Sequence, residues 1–318
     1  MLIATLPSPH NAELAEQMFA HPMVDGARYN VGMRTKYSPE EVLSGMQEMA
    51  DRHGKRFWVD LKGRQLRITK WADPTYGDIE LNHEIKVSLP ASIYFRGDTE
   101  RYELRDVDRN RLFVVPDPFH ALGAGQAVNI IGKVEIIGPY FAGRDVEYIE
   151  AARNIGIHDY MLSFVERESD VSDLKSLDSQ AKPVLKIESP MGMDFVRNEY
   201  DGKCQLMAAR DDLSVNLGED RAAIGKAVRT IIEKDPSAIA ASRIFRSLDT
   251  GRLSEDDVAD VGNLMSMGYR NFMLDDTISH RHFSDAMEAW KYFMPAQPNP
   301  CAPCEADSRT PFWKRWLR

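Results

Sequence analysis

The chain is poor in cysteine, in long apolar runs and in net positive charge, and each shortage removes a class of protein. Three cysteines among 318 residues are too few for a disulfide-built scaffold and are typical of a reducing compartment. No apolar run approaches the roughly 20 residues that a membrane-spanning helix needs. The net charge of −9 argues against general nucleic-acid binding. The opening segment MLIATLPSPH lacks the basic and apolar regions of a signal peptide, so we expect a cytoplasmic protein.

Short apolar runs alternate with helical patterns along most of the chain. The eight runs are LIATL (2–6), ARYNV (27–31), RFWVDL (56–61), DYMLSF (159–164), VLKIE (184–188), QLMAA (205–209), AIAAS (238–242) and NFMLD (271–275). Nearly all of them are continuous apolar strands, typical of a parallel sheet covered by helices. Successive runs are mostly about 20–35 residues apart, the size of one βα unit. The pattern predicts an α/β fold, a (β/α)8 TIM barrel.

The interval after the third run is much longer and has a different character. Residues 68–138 alternate apolar and polar side chains, as in IELNHEIKVSLPASIYF, and this pattern is typical of antiparallel strands. We therefore predict a small all-β domain at 68–138, inserted between barrel segments 1–67 and 139–295. The remaining residues, 296–318, form a Pro-rich tail that ends in PFWKRWLR. Its cations and aromatic rings fit docking to a protein or a membrane surface, or packing against the protein's own barrel.

Polar residues stand at the carboxyl ends of most of the predicted strands, where a barrel of this kind builds its active site. They are Arg28, Asn30, Asp60, Lys62, Lys186, Glu188, Arg210, Asp211, Asp212, Ser242, Arg243, Asp275 and Asp276. In VLKIESPMG, Lys186 and Glu188 are two residues apart on one strand, so their side chains share a side. They form either an ion pair that closes the barrel end or part of a binding site.

Glu188 and Asp212 follow consecutive predicted strands, so their carboxylates can converge. Two carboxylates with open positions for substrate oxygens suit Mg²⁺ or Mn²⁺. Lys186 beside them can neutralise a phosphoryl group or a developing enolate. These residues therefore favour a metal-assisted reaction of an anionic substrate over a purely structural ion pair.

Several segments resemble pyruvate kinase, in the same order, over about residues 1–295. VLKIESPMG resembles that family's KIEN.EG, and LMAARDDLSV resembles IMVARGDLGV. ARYNVGMR is similar to RLNFSHG, and FWVDLKGRQLRI is similar to LDTKGPEIRT. The resemblance implies the same barrel with an inserted β domain. It also implies a glycolytic kinase reaction, in which a phosphoryl group passes between phosphoenolpyruvate and ADP with a divalent metal.

The resemblance also implies roles for the matching positions. Lys186 would be the catalytic lysine at the transferring phosphoryl group, and Ser242 would supply the hydroxyl near the enolate. Glu188 and Asp212 would hold the divalent metal. Asn30 and Asp60 match two ligands of the family's monovalent cation. Arg28, which matches an arginine near the phosphates, would be the third catalytic residue. The substrate-binding set would contain Arg67, Arg210, Asp211, Asn30 and Lys62.

The chain departs from the family on the cation and nucleotide sides of the site. Gly32 and Leu61 stand where the family's cation site has a serine and a threonine, so we predict that a normal potassium site is absent. Asp211 replaces a glycine and adds a carboxylate beside the metal, a like-charge repulsion of about 1–4 kcal/mol. The family's C-terminal allosteric domain has no counterpart, so regulation through it is not expected.

Three functions remain open from these residues. The first is phosphoryl transfer between phosphoenolpyruvate and a nucleotide, ADP or ATP. The second is a carbon–carbon lyase, aldolase or decarboxylase that uses the same metal and enolate site on a 2-oxo acid. The third is a non-catalytic sensor or scaffold that binds a phosphorylated metabolite. We also predict a homo-oligomer.

Overall fold

A computed structural model of the chain describes residues 1–73, 77–95, 100–141, 143–218 and 221–294. The predicted tail at 296–318, with its docking segment, lies outside these ranges. The strands are β1 (Leu2–Thr5), β2 (Gly26–Asn30), β3 (Arg56–Leu61), β4 (Ile79–Glu80), β5 (Glu84–Val87), β6 (Ala91–Tyr94), β7 (Arg101–Asp108), β8 (Arg111–Val115), β9 (Asn129–Ile130), β10 (Val134–Ile137), β11 (Asp159–Leu162), β12 (Lys182–Ile187), β13 (Gln205–Ala209), β14 (Ile239–Ala241) and β15 (Asn271–Met273). The α-helices are α1 (Ala12–Ala20), α2 (Pro39–Arg52), α3 (Arg144–Ile155), α4 (Glu168–Leu177), α5 (Pro190–Asn198), α6 (Arg210–Asn216), α7 (Arg221–Lys234), α8 (Glu255–Met267), α9 (Asp276–Arg281) and α10 (Phe283–Trp290).

Eight parallel strands close a barrel in the order β1-β15-β14-β13-β12-β11-β3-β2. This is the TIM-barrel order, in which each strand pairs with its neighbours in the barrel sequence, and it confirms the predicted fold. The helices cover the outside because their apolar residues face the sheet. In α2, for example, Val42, Leu43 and Met46 are buried, and Ser38 and Glu41 form a reciprocal capping box at its start.

The barrel interior is filled by side chains rather than open. Ile3, Trp58, Met161, Val184, Met207, Ile239, Ala241 and Met273 form one buried cluster there. Strand β2 places Gly26 beside Trp58, and a Cβ at Gly26 would lie 2.5 Å from the indole ring. Glycine is therefore required at this position so that the large ring can fill the interior.

The long interval after β3 forms two antiparallel sheets. Strands β4-β8-β7-β6-β9 make a five-stranded sheet, and β10 pairs with β5. The sheets have their own core, which includes Ile93, Phe95 and Leu104. This confirms an inserted β domain after the third barrel strand. Within the described residues, no helix is long and apolar enough to cross a membrane.

Candidate active site

The carboxyl ends of the barrel strands surround a cavity of about 160 Å³. It is lined by Arg28, Asn30, Lys62, Gln65, Arg67, Lys186, Glu188, Ala209, Asp211, Asp212, Ala241, Ser242, Met273, Asp275 and Asp276. The structure therefore brings together all but one of the substrate-binding, catalytic and metal-ligating candidates. The exception is Arg210, whose guanidinium contacts Asp260 and the backbone carbonyl of Ser242 from outside the cavity lining.

Charges of opposite sign occupy different arcs of the cavity wall. The cations are Arg28 from β2, Lys62 and Arg67 from the segment after β3, and Lys186 from β12. The carboxylates Glu188, Asp211, Asp212, Asp275 and Asp276 follow β12, β13 and β15. The two arcs meet at two places: Arg28 Nη2 lies 3.4 Å from Asp276 Oδ2, and β12 carries Lys186 and leads into Glu188. Lys186 Nζ and Glu188 Oε1 are 3.3 Å apart, so these two residues form an ion pair that is also part of the cavity wall.

Asp60 lies beneath the cationic arc and joins its members. Its carboxylate is fully buried and contacts the Arg28 guanidinium, with Lys186 Nζ at 3.2 Å and Lys62 Nζ at 3.5 Å. Burial alone would raise the pKa of Asp60, but the charges of Lys186, Lys62 and Arg28 lower it well below its usual range. Asp60 is therefore ionised and fixes the positions of three cations.

Lys186 is a buried cation whose ammonium group has hydrogen-bond partners in the protein. Its Nζ donates to Ser163 Oγ at 2.7 Å and to Asp60 Oδ1 at 3.2 Å, and the residue is only 6% exposed. Burial would lower the pKa of Lys186, yet Asp60 and Glu188 outweigh it, so the pKa is raised. The ammonium is therefore charged and fixed at a point where the two arcs meet.

Glu188, which is buried, and Asp212, which is half-buried, are two carboxylates that act on the charge of Lys186. Glu188 Oε2 accepts a hydrogen bond from the Phe164 backbone at 2.7 Å, and Asp212 Oδ1 accepts one from Asn129 at 3.3 Å. Burial, reinforced by the charge of Asp212, raises the pKa of Glu188 to about 7 despite the opposing Lys186. Burial also raises the pKa of Asp212. The pair therefore holds more negative charge than its protein surroundings neutralise.

This excess of negative charge bears on whether the residues present fit a divalent metal. Two carboxylates in one cavity, one buried and one half-buried and each with a raised pKa, fit a cation that would stabilise the ionised form of both. Among the described residues, no group of three or more histidine, cysteine or acidic side chains is placed to hold a metal. Glu188 and Asp212 would therefore supply two ligands, and substrate oxygens or water would supply the others.

Ser242 lies at the end of β14 in an unusual backbone conformation. Both Ser242 and Arg243 have positive φ, 63° and 57°, which is strained for residues with a side chain. Arg210 holds this turn: its Nη2 donates to the Ser242 carbonyl at 2.7 Å, and its Nη1 contacts both oxygens of Asp260 at 2.8 Å. Arg210 thus positions Ser242 instead of lining the cavity.

Asp211, the residue in place of the family's glycine, is paired with a cation. Arg243 Nε donates to Asp211 Oδ1 at 2.8 Å. Both side chains are partly exposed, so solvent screens the contact. The repulsion expected between Asp211 and the metal-binding carboxylates is therefore reduced, although Asp211 still adds a carboxylate to the acidic arc.

Two strand-end residues that contact the site were missed in the sequence. Thr5 Oγ1 at the end of β1 accepts from Arg28 Nε at 2.9 Å, and Ser163 after β11 accepts from Lys186. Both belong to predicted strands, LIATL and DYMLSF, whose residues are not among the candidate site residues. The signal that could have found them is position: each is the polar residue at the carboxyl end of its strand.

The inserted domain and its connection to β3 also reach the cavity. Gln65 Oε1 accepts from Arg67 Nε at 3.0 Å and from Arg67 Nη2 at 2.6 Å. Asn129 on β9 contacts Asp212, as noted above. Asn216 Nδ2 donates to the backbone carbonyls of Glu188 and Asp212, at 3.0 and 2.9 Å. These amides hold the metal-binding candidates and Arg67 in place.

The pyruvate kinase resemblance is matched by curated relatives. Over 91% of its length, the chain is 23% identical to the pyruvate kinase of Agrobacterium vitis and spans 70% of that protein. The chain is pyruvate kinase-like. It is 22% identical to the pyruvate kinase of Thermoplasma acidophilum over 82% of its length, and 21% identical to that of Staphylococcus saprophyticus over 90%. It spans 51% and 54% of those two relatives. No protein-family model matches.

Proposed function

We propose that this pyruvate kinase-like chain acts on phosphoenolpyruvate and the enolate of pyruvate, and transfers a phosphoryl group between phosphoenolpyruvate and a nucleotide. The observation that carries the proposal is the two-sided cavity, with cations on one arc and the carboxylates of Glu188 and Asp212 on the other. A substrate with a phosphate and a carboxylate would face the cations of Arg28, Arg67 and Lys186. The similarity to pyruvate kinases supports this choice of substrate.

The proposed reaction is phosphoryl transfer followed by proton transfer. The phosphorus–oxygen bond of the enol phosphate breaks, and a bond forms from phosphorus to a terminal oxygen of ADP. The products are ATP and the enolate of pyruvate, which takes a proton at C3. Lys186 and Arg28 would stabilise the negative charge on the moving phosphoryl group, chiefly through fixed position and charge. The Ser242 hydroxyl, with water, would deliver the proton to C3.

A divalent metal, Mg²⁺ or Mn²⁺, would be held by Glu188 and Asp212. When bound, it would polarise the substrate oxygens and offset the negative charge of the acidic arc. The remaining work belongs to the chain itself. Asp60 keeps Lys186 and Arg28 charged and in place, and Arg210 holds the backbone that carries Ser242.

A coupled assay for pyruvate formation tests the proposal. Phosphoenolpyruvate, ADP and Mg²⁺ are supplied to wild type, to Lys186→Met and to Lys182→Met. Lys182 is on the same strand but is exposed at its far end, so its variant is the matched control. We expect turnover in wild type and the control and its loss in Lys186→Met. No turnover in wild type, or full turnover in Lys186→Met, would overturn the proposal.

A carbon–carbon lyase or decarboxylase is the second candidate, and the acidic arc favours it. Asp211, Asp275 and Asp276 add three carboxylates to the cavity wall; Asp211 pairs with Arg243 and Asp276 with Arg28, but the acidic wall still opposes the phosphates of a nucleotide. In this reaction the carbon–carbon bond of a 2-oxo acid breaks, and the resulting enolate is protonated as above. Release of CO₂ from oxaloacetate with Mg²⁺ and no nucleotide would favour it. Binding of phosphoenolpyruvate or a 2-oxo acid without either reaction would leave the non-catalytic sensor as the remaining function.

We further propose a cytoplasmic location and a place in glycolysis, as the kinase reaction implies. A homo-oligomer remains our prediction, and light scattering of the purified chain would measure it.

A further inference from the structure

The peptide group that joins Ser163 to Phe164, just after β11, carries a hydrogen bond at each end. Its N–H, from Phe164, donates to Glu188 Oε2 at 2.7 Å. Its carbonyl, from Ser163, accepts from the Tyr140 hydroxyl at 2.6 Å. Because a peptide group is planar, a bond that fixes the carbonyl also fixes the direction of the N–H. Tyr140 can therefore act on Glu188 through this peptide.

The backbone around this peptide has a conformation that needs support. Phe164 has a positive φ of 54°, which is strained for a residue with a side chain. Backbone bonds hold the residues on either side: Ser163 N donates to a carbonyl at the end of β3, and Val165 N donates to the Lys186 carbonyl, both at 3.2 Å. The segment 163–165 therefore contacts both Lys186 and Glu188, and a change in its backbone would alter the position of either side chain.

Tyr140 lies where the two connections of the inserted domain meet. It follows β10, on the segment that returns to α3, and is only 1% exposed. The outgoing segment, after β3, places Gly63 against it. A Cβ at Gly63 would lie 2.6 Å from the Tyr140 hydroxyl oxygen and 2.7 Å from the Ser163 carbonyl oxygen, and Gly63 also has a positive φ of 48°. Glycine is therefore required here, and its close approach shields the hydrogen bond from water.

Arg64 fixes the tyrosine ring. The centre of its guanidinium lies 4.7 Å from the centroid of the Tyr140 ring, a cation–π contact, and the guanidinium also pairs with Asp170. Asp170 is itself held, since its Oδ2 accepts from the backbones of Glu166 and Arg167 at 2.9 and 3.2 Å. In FWVDLKGRQLRI, Arg64 stands where the motif LDTKGPEIRT has a proline, which has no cation to stack on a ring. The ring therefore has a fixed orientation and its hydroxyl oxygen a fixed position.

We infer that Tyr140 is a positioning residue, which holds the Phe164 N–H on Glu188 and so orients that carboxylate to bind a divalent metal. The inference rests on the proposed function for the role of Glu188. Hydrogen bonds in a chain strengthen one another, so the phenol makes the N–H a better donor to the carboxylate. Groups that orient metal ligands from outside contribute about 10–100-fold to metal affinity.

Calorimetric titration of the metal-free protein with Mn²⁺ tests the inference. Tyr140→Phe keeps the ring and removes only the hydroxyl. Tyr269→Phe is the matched control, because Tyr269 is also fully buried and its hydroxyl donates to the Val228 carbonyl at 2.7 Å, outside the cavity lining. We expect a Kd for Mn²⁺ about 10-fold higher in Tyr140→Phe and unchanged in the control, although both variants lose a buried hydrogen bond and melt lower. Equal Mn²⁺ affinity of wild type and Tyr140→Phe would overturn the inference.

The Phe164 amide proton gives a second readout that needs neither metal nor turnover. At pH 8, above the pKa of about 7 of Glu188, its hydrogen bond to the carboxylate should place its NMR signal downfield. We expect the signal to move upfield in Tyr140→Phe and to stay in Tyr269→Phe. An unmoved signal in Tyr140→Phe would overturn the inference. Should that variant not fold, a wild-type signal in the ordinary amide range would overturn it as well.

These outcomes separate the inference from the kinase proposal. Wild type that binds Mn²⁺ and responds to Tyr140→Phe as expected, but forms no pyruvate, would overturn the kinase proposal alone. Turnover in wild type with equal Mn²⁺ affinity in Tyr140→Phe would overturn the inference alone. Wild type that binds no Mn²⁺ would overturn both.

Discussion

Replacing Glu188 by glutamine should make the metal-free protein more stable at alkaline pH. The pKa of Glu188 is raised from 4.5 to about 7 by burial and by Asp212. Between these values the folded state binds more protons than the unfolded state, so stability falls as pH rises through this window and stays low above it. At about 1.4 kcal/mol per pKa unit, the ionised carboxylate costs on the order of 3 kcal/mol at pH 8. A glutamine, which resembles the protonated form, avoids this cost.

Urea unfolding in EDTA at pH 5 and pH 8 measures the effect. We expect Glu188→Gln to exceed wild type in free energy of unfolding at pH 8 by on the order of 1–3 kcal/mol, with a smaller difference at pH 5. Added Mg²⁺ should stabilise wild type at pH 8 and leave the variant unchanged. Glu48→Gln, in an exposed side chain, is the control. A variant less stable than wild type at pH 8 would refute the reasoning.

Three further predictions concern the groups that support the site and the fold. Asp60→Asn should lower the free energy of unfolding by about 3–5 kcal/mol, because it leaves buried cations without their counter-charge; a melting temperature equal to wild type would contradict this. Asp178→Asn should cost about 1–3 kcal/mol at pH 7, as Asp178 accepts from His158 at 2.7 Å. Hydrogen bonds lower the pKa of Asp178 against burial, so the loss should shrink as pH falls below about 4, and a pH-independent loss would count against it. Arg210→Lys should reduce kcat for pyruvate formation by roughly 10-fold with unchanged Mg²⁺ affinity, since Ser242 loses its anchor; an unchanged kcat would rule out a positioning role.

The barrel was predictable because its signals are local. A continuous apolar strand such as QLMAA needs both faces covered, here by helices outside and by the packed barrel interior inside, and the repeated spacing of such strands predicts their parallel order. The strand ends were less certain by a residue or two: NFMLD was predicted through residue 275, but β15 ends at Met273 because Asp275 caps α9. Asp275 cannot both continue the strand and cap the helix, and in the structure its side chain accepts the hydrogen bond from Ile278 N that caps α9.

Part of the site was predictable for the same reason, since barrel topology brings all strand ends to one mouth. Lys186, Glu188 and Asp212 converge as chain order implies. The direction of Arg210 was not predictable, because it starts α6, and its partner Asp260 lies 50 residues away in sequence. The contact of Asn129 with Asp212 depends on how the inserted domain packs against the mouth, which no local pattern encodes.

The measurement that tests the central claim most directly is hydrogen exchange at the methyl group of pyruvate. The claim is that Lys186 and the Glu188–Asp212 pair form an enolate site, whatever the phosphoryl acceptor. In D₂O with Mg²⁺ and no nucleotide, proton NMR should show loss of the methyl signal in wild type and at most background loss in Lys186→Met. Exchange no faster than with Mg²⁺ alone, or equal exchange in Lys186→Met, would contradict the claim.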